Sequence, residues 1–247
     1  TVTLVTGTAA AVTTALQASG ISGLSNPAVT LDDTSLAATT LNTLNGLTTG
    51  VINAGTVTTL TGSAAAVTTA YAANTASEIT GLGNEAVTLD DTSLAASDLN
   101  TLNGLTTGVV DATSVTTLTG SAASVGLAYL ANLAGHITGL GKEAVTLDDT
   151  SLDAGALNSL NGLTTGVVNA TSVTTVTGSA AAVTTAYAAN TAGTITGLGN
   201  EAVTLTGTEA AASDLNSIDA ATSVTINAST VTLVTGTAVA VTTALQA

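Results

Sequence analysis

Apolar and polar residues alternate along this chain in a pattern that repeats over its whole length. Segments that begin with Val-Thr, such as 57–61, alternate apolar residues with Thr, which predicts a half-buried strand. An Ala-rich segment that has Ala37, Leu41 and Leu44 on one stripe predicts a short helix with a buried face. A further apolar segment at 50–53 predicts a second strand, so each unit reads strand, helix, strand.

The Val-Thr segments recur at a nearly fixed spacing, beginning at positions 2, 29, 57, 87, 115, 145, 173, 203 and 231. From position 29 on, a shorter interval alternates with a slightly longer one, which makes a double repeat of about 58 residues. Such a period is typical of a solenoid, in which each turn covers only its neighbours. We therefore expect residues 1–247 to form one continuous right-handed α/β solenoid of about nine 28–30-residue turns with parallel sheets. An all-β solenoid is the alternative, and the Ala-rich segments favour helices.

The ends of the predicted helices carry their own signals. One hydroxyl precedes each Ala-rich segment, as expected of a helix N-cap: Thr8, Thr34, Ser63, Thr92, Ser121, Thr150, Ser179, Thr208 and Thr237. Thr206 and Glu209 have the spacing of a capping box. Asn-Gly at 45–46, and at its two copies, predicts a left-handed helix stop. The predicted core ladder consists of Leu41, Leu99, Leu157 and Leu215.

The charge balance excludes several classes of function. Sixteen acidic residues stand against Lys142 alone, with no Arg, which gives a formal net charge of −15. A nucleic-acid or anionic-membrane surface needs several basic side chains, so we expect neither partner. Thr, Ser, Asn or Gly interrupts every apolar run before the roughly 18 residues that a membrane-spanning helix needs, so we expect no membrane insertion.

Three segments carry a resemblance to a known class of protein: 87–96, 115–123 and 195–202. They resemble the Thr/Ala-rich repeat regions of very large cell-surface proteins of marine bacteria, notably cyanobacteria. The resemblance covers the whole chain as a style of repeat. It implies an extracellular structural role in an adhesin, surface layer, stalk or filament. The calcium-binding Gly-Gly-x-Gly-x-Asp nonapeptide of many secreted relatives is absent.

Paired acids are the candidate metal ligands, and they recur once in each of three double repeats: Asp32, Asp33, Asp90, Asp91, Asp148 and Asp149. In a regular solenoid they would stack along one edge of the sheet. Calcium prefers carboxylate and carbonyl oxygens, so one hypothesis is a row of weak calcium sites. The other is that these carboxylates stabilise the positive end of a helix, with no cofactor at all.

A file of one Thr per turn is also predicted: Thr3, Thr30, Thr58, Thr88, Thr116, Thr146, Thr174, Thr204 and Thr232. Regular Thr files suggest an ice-binding surface, and an ordinary solvated sheet is the alternative. His136 and Lys142 occur in one turn only, and Gly-Leu-Gly at 139–141 lacks the third glycine of a phosphate loop. We therefore expect a protein that is not an enzyme.

The two ends of the sequence match each other. Segment 1–18 is identical to segment 230–247 at every position except Ala10, which corresponds to Val239. The pattern therefore begins a second cycle at position 230, and we expect the chain to be a slice of a longer array. Its expected partners are further copies of itself, or adjacent repeats, stacked end to end.

Overall fold

The Ala-rich segments are helices in the computed structural model, which describes residues 1–246. These residues form an α/β fold of repeated strand–helix units with parallel sheets, so the solenoid prediction is confirmed and the all-β alternative is wrong. The helices of the described chain are α1 Ala9–Gln17, α2 Ala38–Asn45, α3 Ala64–Thr75, α4 Ala96–Asn103, α5 Ala122–Leu133, α6 Ala154–Asn161, α7 Ala180–Ala192, α8 Ala212–Ala221 and α9 Ala238–Gln246.

The strands are short, and most lie immediately before or after a helix. In chain order they are β1 Leu4–Gly7, β2 Ala28–Leu31, β3 Ser35–Ala37, β4 Ile52–Asn53, β5 Thr59–Gly62, β6 Ile79–Thr80, β7 Ala86–Leu89, β8 Ser93–Ala95, β9 Val110–Asp111, β10 Thr117–Gly120, β11 Ile137–Thr138, β12 Ala144–Leu147, β13 Ser151–Asp153, β14 Val168–Asn169, β15 Thr175–Gly178, β16 Ile195–Thr196, β17 Ala202–Leu205, β18 Glu209–Ala211, β19 Ile226–Asn227 and β20 Leu233–Thr235.

The chain divides into two compact units. The first comprises residues 1–115 and 130–140, and contains the sheets β1-β2-β4-β6 and β3-β5-β7-β9-β11. The second comprises residues 116–129 and those from 141 on, and contains strands β10-β12-β14-β16 together with the sheets β13-β15-β17-β19 and β18-β20. Neighbouring strands within these sheets run parallel, as expected for strands that follow one another around a coil.

The strand register differs from the one that the Val-Thr period predicts. In the first unit Leu60 lies opposite Val87, which in turn lies opposite Val110. The Val-Thr period instead predicts Val57 and Val115 at those two positions. The predicted register is therefore wrong, although the repeated strand–helix units are as expected.

A corner in the chain explains the difference. Strands β2 and β3 are separated by positions 32–34 only, yet β2 pairs with β1 and β4, whereas β3 pairs with β5. Each double repeat thus leaves one sheet and enters the next. Two successive steps between paired residues, from Leu60 through Val87 to Val110, therefore span fewer positions than the double repeat of about 58 residues.

Aliphatic ladders fill the core. The file Leu36, Leu60, Val87, Val110 and Ile137 follows the register of one sheet, and each member is buried. The predicted Leu ladder is fully buried at 41, 99 and 157, whereas position 215, in α8, is only partly buried. Among the helices of residues 1–246, none is both long and apolar enough to span a membrane.

The predicted helix caps are correct for the odd-numbered helices. Thr8, Ser63 and Ser179 precede α1, α3 and α7, and each side-chain oxygen accepts a hydrogen bond from the backbone N–H three residues later. Ser121 and Thr237 do the same for α5 and α9. The N-cap prediction is wrong for Thr34, Thr92, Thr150 and Thr208, because a strand of three residues lies between each of them and its helix.

The capping box is wrong, whereas α2, α4 and α6 do end at the predicted Asn-Gly positions, without the predicted left-handed conformation. Glu209 lies in β18, so it forms no capping box with Thr206. Gly46, at the end of α2, has a right-handed conformation, as do its copies at 104 and 162, and nothing in the structure explains a requirement for glycine there. The left-handed residues follow α3, α5 and α7 instead, at Ser77, Gly135 and Gly193.

Candidate functional site

The second residue of each acidic pair caps a helix. The Oδ2 atoms of Asp33, Asp91 and Asp149 accept hydrogen bonds of 2.7 Å from the backbone N–H groups of Ala9, Ala64 and Ala122. Those groups belong to the first residues of α1, α3 and α5, each of which precedes its acidic pair by one turn of the coil. The helix-terminus interpretation therefore holds for these three residues, but the helix belongs to the preceding turn.

The acidic pairs do not share one edge. Each pair follows a strand of a different sheet: β2 pairs with β1, β7 with β5, and β12 with β10. The predicted row of stacked Asp pairs is wrong for this reason. The first residues, Asp32, Asp90 and Asp148, are exposed. Within residues 1–246 no cluster of three or more His, Cys, Asp or Glu side chains could hold a metal, and calcium binding stays a prediction.

A buried carboxylate that the sequence pattern did not single out lies at the centre of a hydrogen-bonded polar cluster, and the cluster recurs along the chain. Glu85 is fully buried, and it accepts hydrogen bonds from the Tyr71 hydroxyl at 2.9 Å and from the Gly83 N–H at 2.8 Å. Glu201 has the same arrangement, with the Tyr187 hydroxyl at 3.0 Å. A buried charge is tolerated only when hydrogen bonds compensate for its lost hydration, and these donors provide that compensation.

The third copy of the cluster differs in detail. Glu143 accepts from the Gly141 and Lys142 N–H groups at 2.9 and 3.0 Å, while the buried Tyr129 hydroxyl makes no direct hydrogen bond. Burial raises the pKa of the Tyr129 hydroxyl above its ordinary value of about 10, and the nearby Glu143 carboxylate raises it further. Burial likewise raises the pKa of the other two tyrosines.

The sequence did contain a signal for this cluster. Tyr and Glu recur together at one fixed spacing, at 71/85, 129/143 and 187/201. In the first turn both are replaced, by Leu16 and Pro27. The joint loss of both residues indicates that they act together.

A Thr and a Gly of the next strand segment complete the cluster. The Thr106 hydroxyl donates to the backbone oxygen of Glu85 at 2.7 Å and accepts from the Gly108 N–H at 2.9 Å. A Cβ atom on Gly108 would lie 2.2 Å from that same backbone oxygen, so only glycine fits. Thr48 and Gly50 repeat the arrangement against Pro27 in the preceding turn.

The predicted Thr file is not formed. Thr30 lies opposite Thr6 and Asn53, rather than opposite Thr3 and Thr58. The register instead aligns Thr61, Thr88, Asp111 and Thr138 in the sheet of β5. Since the uniform file is replaced by a mixed one, the geometric basis for the ice-binding hypothesis is lost.

His136 and Lys142 are both exposed and lie in the segment that follows α5. The backbone oxygen of His136 accepts a hydrogen bond from the Val110 N–H, and among the described residues its ring belongs to no group of three or more His, Cys, Asp or Glu side chains that could hold a metal. No known protein family, curated protein or solved structure matches this chain. The geometry of the repeats is therefore the basis for the functional proposal.

Proposed function

We propose that this chain is non-enzymatic structural repeat material, which builds an extracellular stalk, layer or filament at a cell surface. The observation that carries the proposal is that its recurring polar side chains form hydrogen bonds between one turn and another. Asp33 bonds the start of α1, Thr48 bonds the backbone of residue 27, and Asn42 of α2 donates to the backbone oxygen of Ala66 in α3. These side chains connect one turn to another rather than converging on a pocket, which is the behaviour of an array element.

Exposed apolar side chains in the first and last described turns support the proposal that further turns pack against them. Val2 is 43% exposed, whereas the equivalent Val57 is 3% exposed. Leu245 of α9 is 76% exposed, whereas Tyr71, at the same position of α3, is 2% exposed. Apolar side chains and unpaired strand edges of this kind bind another layer of the same architecture.

We expect these exposed surfaces to be covered by adjacent repeats, which belong either to the same polypeptide or to another copy of the chain. Because segment 230–247 repeats 1–18, the segment that follows position 18 is a template for the turn that would cover α9. We therefore propose end-to-end continuation of the array. This contact is heterologous, because it joins two different surfaces, so repeated contacts produce a growing array rather than a closed oligomer.

Extending the chain tests this continuation. We expect that appending a copy of segment 19–58 after position 247 raises the midpoint of chemical unfolding and reduces self-association, because it buries the outer face of α9. A scrambled extension of equal composition and length is the control. Equal midpoints for the two extensions would refute the continuation.

The cellular role needs a separate experiment on the native material. Mass measurement of the intact polypeptide and immunogold electron microscopy should show a much longer chain outside the cell. A chain of this length found inside the cell would contradict the proposal.

A calcium-dependent adhesin is the second candidate, because Asp32, Asp90 and Asp148 are exposed. Calorimetric titration with calcium tests it, with Asp90→Asn/Asp91→Asn as the matched variant. A calcium-dependent heat that the double variant abolishes would favour the adhesin. The absence of such heat in the unmodified chain would remove it.

A further inference from the structure

Strand β19 lacks a neighbour that its counterparts in other turns have. It pairs with β17 and lies at the edge of its sheet, and no strand among residues 1–246 pairs with its other side. The equivalent strands β4, β9 and β14 each pair there with an Ile-Thr strand of the next turn, namely β6, β11 and β16. Because β19 has the same register against β17 that β4 has against β2, its opposite edge presents the same backbone groups for pairing.

A groove of about 420 Å³ lies beside this edge, and its lining includes Leu215, Ile226 and Ala244. Ile226 is only partly buried, whereas the equivalent Ile52 is fully buried. In that interior turn the Ile52 N–H donates to the backbone oxygen of Glu78, immediately before β6. The groove therefore has the form of a site for an extended segment that carries an isoleucine.

The segment that follows α1 has the complementary features. Ile21 is 55% exposed, whereas the equivalent Ile79 of β6 is fully buried. Gly23 has a φ of +90°, and Gly81, at the same position after β6, has a φ of +92°. This segment therefore already has the backbone turn that follows an Ile-Thr strand in the interior of the array.

The β19 side of the pairing is formed as well. In the interior turn, Gly81 lies so close to the backbone of Gly55 that no Cβ fits, and the Gly55 N–H donates to the Asn53 side chain at 3.0 Å. The Ser229 N–H donates to the Asn227 side chain in the same way, at 3.1 Å. Both surfaces thus have the conformation of the interior pairing before any contact is made, which lowers the cost of association.

The nearly identical segments 1–18 and 230–247 show the two sides of a single turn. Strand β1 pairs with β2, which follows it, whereas β20 pairs with β18, which precedes it. The equivalent β5 pairs on both sides, with β3 and β7. Likewise α1 packs against α2, and α9 packs against α8. One segment of this sequence can therefore join a preceding turn to a following one.

We propose that segment 230–247 of one copy replaces segment 1–18 on a second copy, so that residues 21–22 of the second copy pair with β19 of the first. The exchange is needed because the two segments would otherwise occupy the same place. The inference rests on the end-to-end continuation proposed above and names its contact. Since the joined surfaces differ, the exchange produces a growing array.

The exchange gains contacts without losing equivalent ones. The incoming segment differs from the one it replaces only by Val239 in place of Ala10, and both positions are exposed. It therefore makes the same contacts with α2 and β2. The additional contacts are the pairing along β19 and the burial of Ile21 in the groove, and both favour association.

Cross-linking of the whole chain tests the pairing, because the chain has no cysteine of its own. A Ser22→Cys chain mixed with an Asn227→Cys chain should give a dimer with a short bifunctional maleimide, since paired strands lie about 5 Å apart. Neither chain alone should give this product. Thr138→Cys is the matched control for Ser22→Cys, because its strand β11 already pairs with β9. No dimer in the mixture, or equal cross-linking of the control, would overturn the proposal.

A charge in the core of the duplicated segment distinguishes exchange from simple stacking. Val12 is 2% exposed, and Val241 is its copy. Val12→Asp weakens the segment that blocks the site, so sedimentation velocity should show association strengthened at least about tenfold. Val241→Asp should do the same, because the intact segment 1–18 of the next copy then joins the two chains. The double variant should not associate. Single variants that associate no better than the unmodified chain, or a double variant that still associates, would overturn the exchange.

Failure of the exchange is distinguishable from failure of the proposed function. If these variants show no exchange while the appended segment 19–58 still raises the unfolding midpoint, the inference is overturned, and the array continues within one polypeptide. If the appended segment also has no effect, the end-to-end continuation itself is refuted.

Discussion

Removal of the Tyr71 hydroxyl is the most direct test of how the buried acids stabilise the fold. Glu85 has no access to solvent, so its carboxylate depends on the protein for hydrogen bonds. The Tyr71 hydroxyl provides one at 2.9 Å, and the Gly83 N–H provides another at 2.8 Å. The change Tyr71→Phe deletes the first donor, retains the ring, and leaves the charge buried.

The expected cost follows from the type of bond. A hydrogen bond to a charged group contributes about 1.5–3 kcal/mol, and loss of one partner leaves the other incompletely satisfied. The phenyl ring fills the same space, so no cavity is added to this cost. With a urea m-value of about 2 kcal/mol per M, we expect the unfolding midpoint to fall by roughly 1 M.

The chain contains its own controls for this measurement. Tyr187 bonds Glu201 in the same way, so Tyr187→Phe should have an effect of similar size. The Tyr129 hydroxyl makes no direct bond to Glu143, so Tyr129→Phe should cost less than about 1 kcal/mol. Urea unfolding followed by far-ultraviolet circular dichroism measures all three. Equal shifts for the three variants, or no shift for Tyr71→Phe, would refute the role assigned to the hydroxyl.

Three other predictions concern pH and backbone positions. Burial raises the pKa of all three tyrosines above about 10. Their contribution to stability should therefore be present below pH 10 and decline as the pH rises further. Absorbance near 295 nm should report tyrosinate only when the chain unfolds. Gly108→Ala should destabilise the fold by about 3 kcal/mol in urea unfolding, because its Cβ would overlap a backbone oxygen. Gly126→Ala should instead stabilise it by about 1 kcal/mol, because this position of α5 is in open space and Ala favours a helix more than Gly does. The opposite order of stabilities would contradict the packing argument. Gly207→Asp should stabilise by about 0.5–1 kcal/mol by capping Ala180, the first residue of α7, and an unchanged midpoint would contradict this cap.

Local periodicity was sufficient to predict the helices and much of the core. The Ala-rich segments carry their apolar residues at helical spacing, and Leu41, Leu99 and Leu157 are fully buried as expected. Each of these features depends on residues within one or two turns of the same helix. A local pattern contains that information directly.

Strand register was not predictable from the same pattern. Both the Val-Thr-Leu segment of β7 and the Ser-Leu segment of β8 fit a half-buried strand, and they are only three residues apart. Which of them pairs with β5 is decided by packing between turns, and in the structure it is β7. A shift in pairing of this kind also explains why the predicted Thr file is wrong, because Thr30 lies opposite Thr6 and Asn53.

The acidic pairs show how this register decides between the capping and calcium interpretations. Because Gly62 lies opposite Leu89, the chain brings Asp91 beside the first turn of α3, where its carboxylate bonds the Ala64 N–H at 2.7 Å. A cation that used this oxygen would have to displace a charge-assisted hydrogen bond at the positive end of a helix. The capping contact therefore opposes calcium at the second residue of each pair. Any affinity would have to come from the exposed Asp90 and its equivalents, and one carboxylate at a site gives only weak binding of calcium, which takes six to eight oxygen ligands.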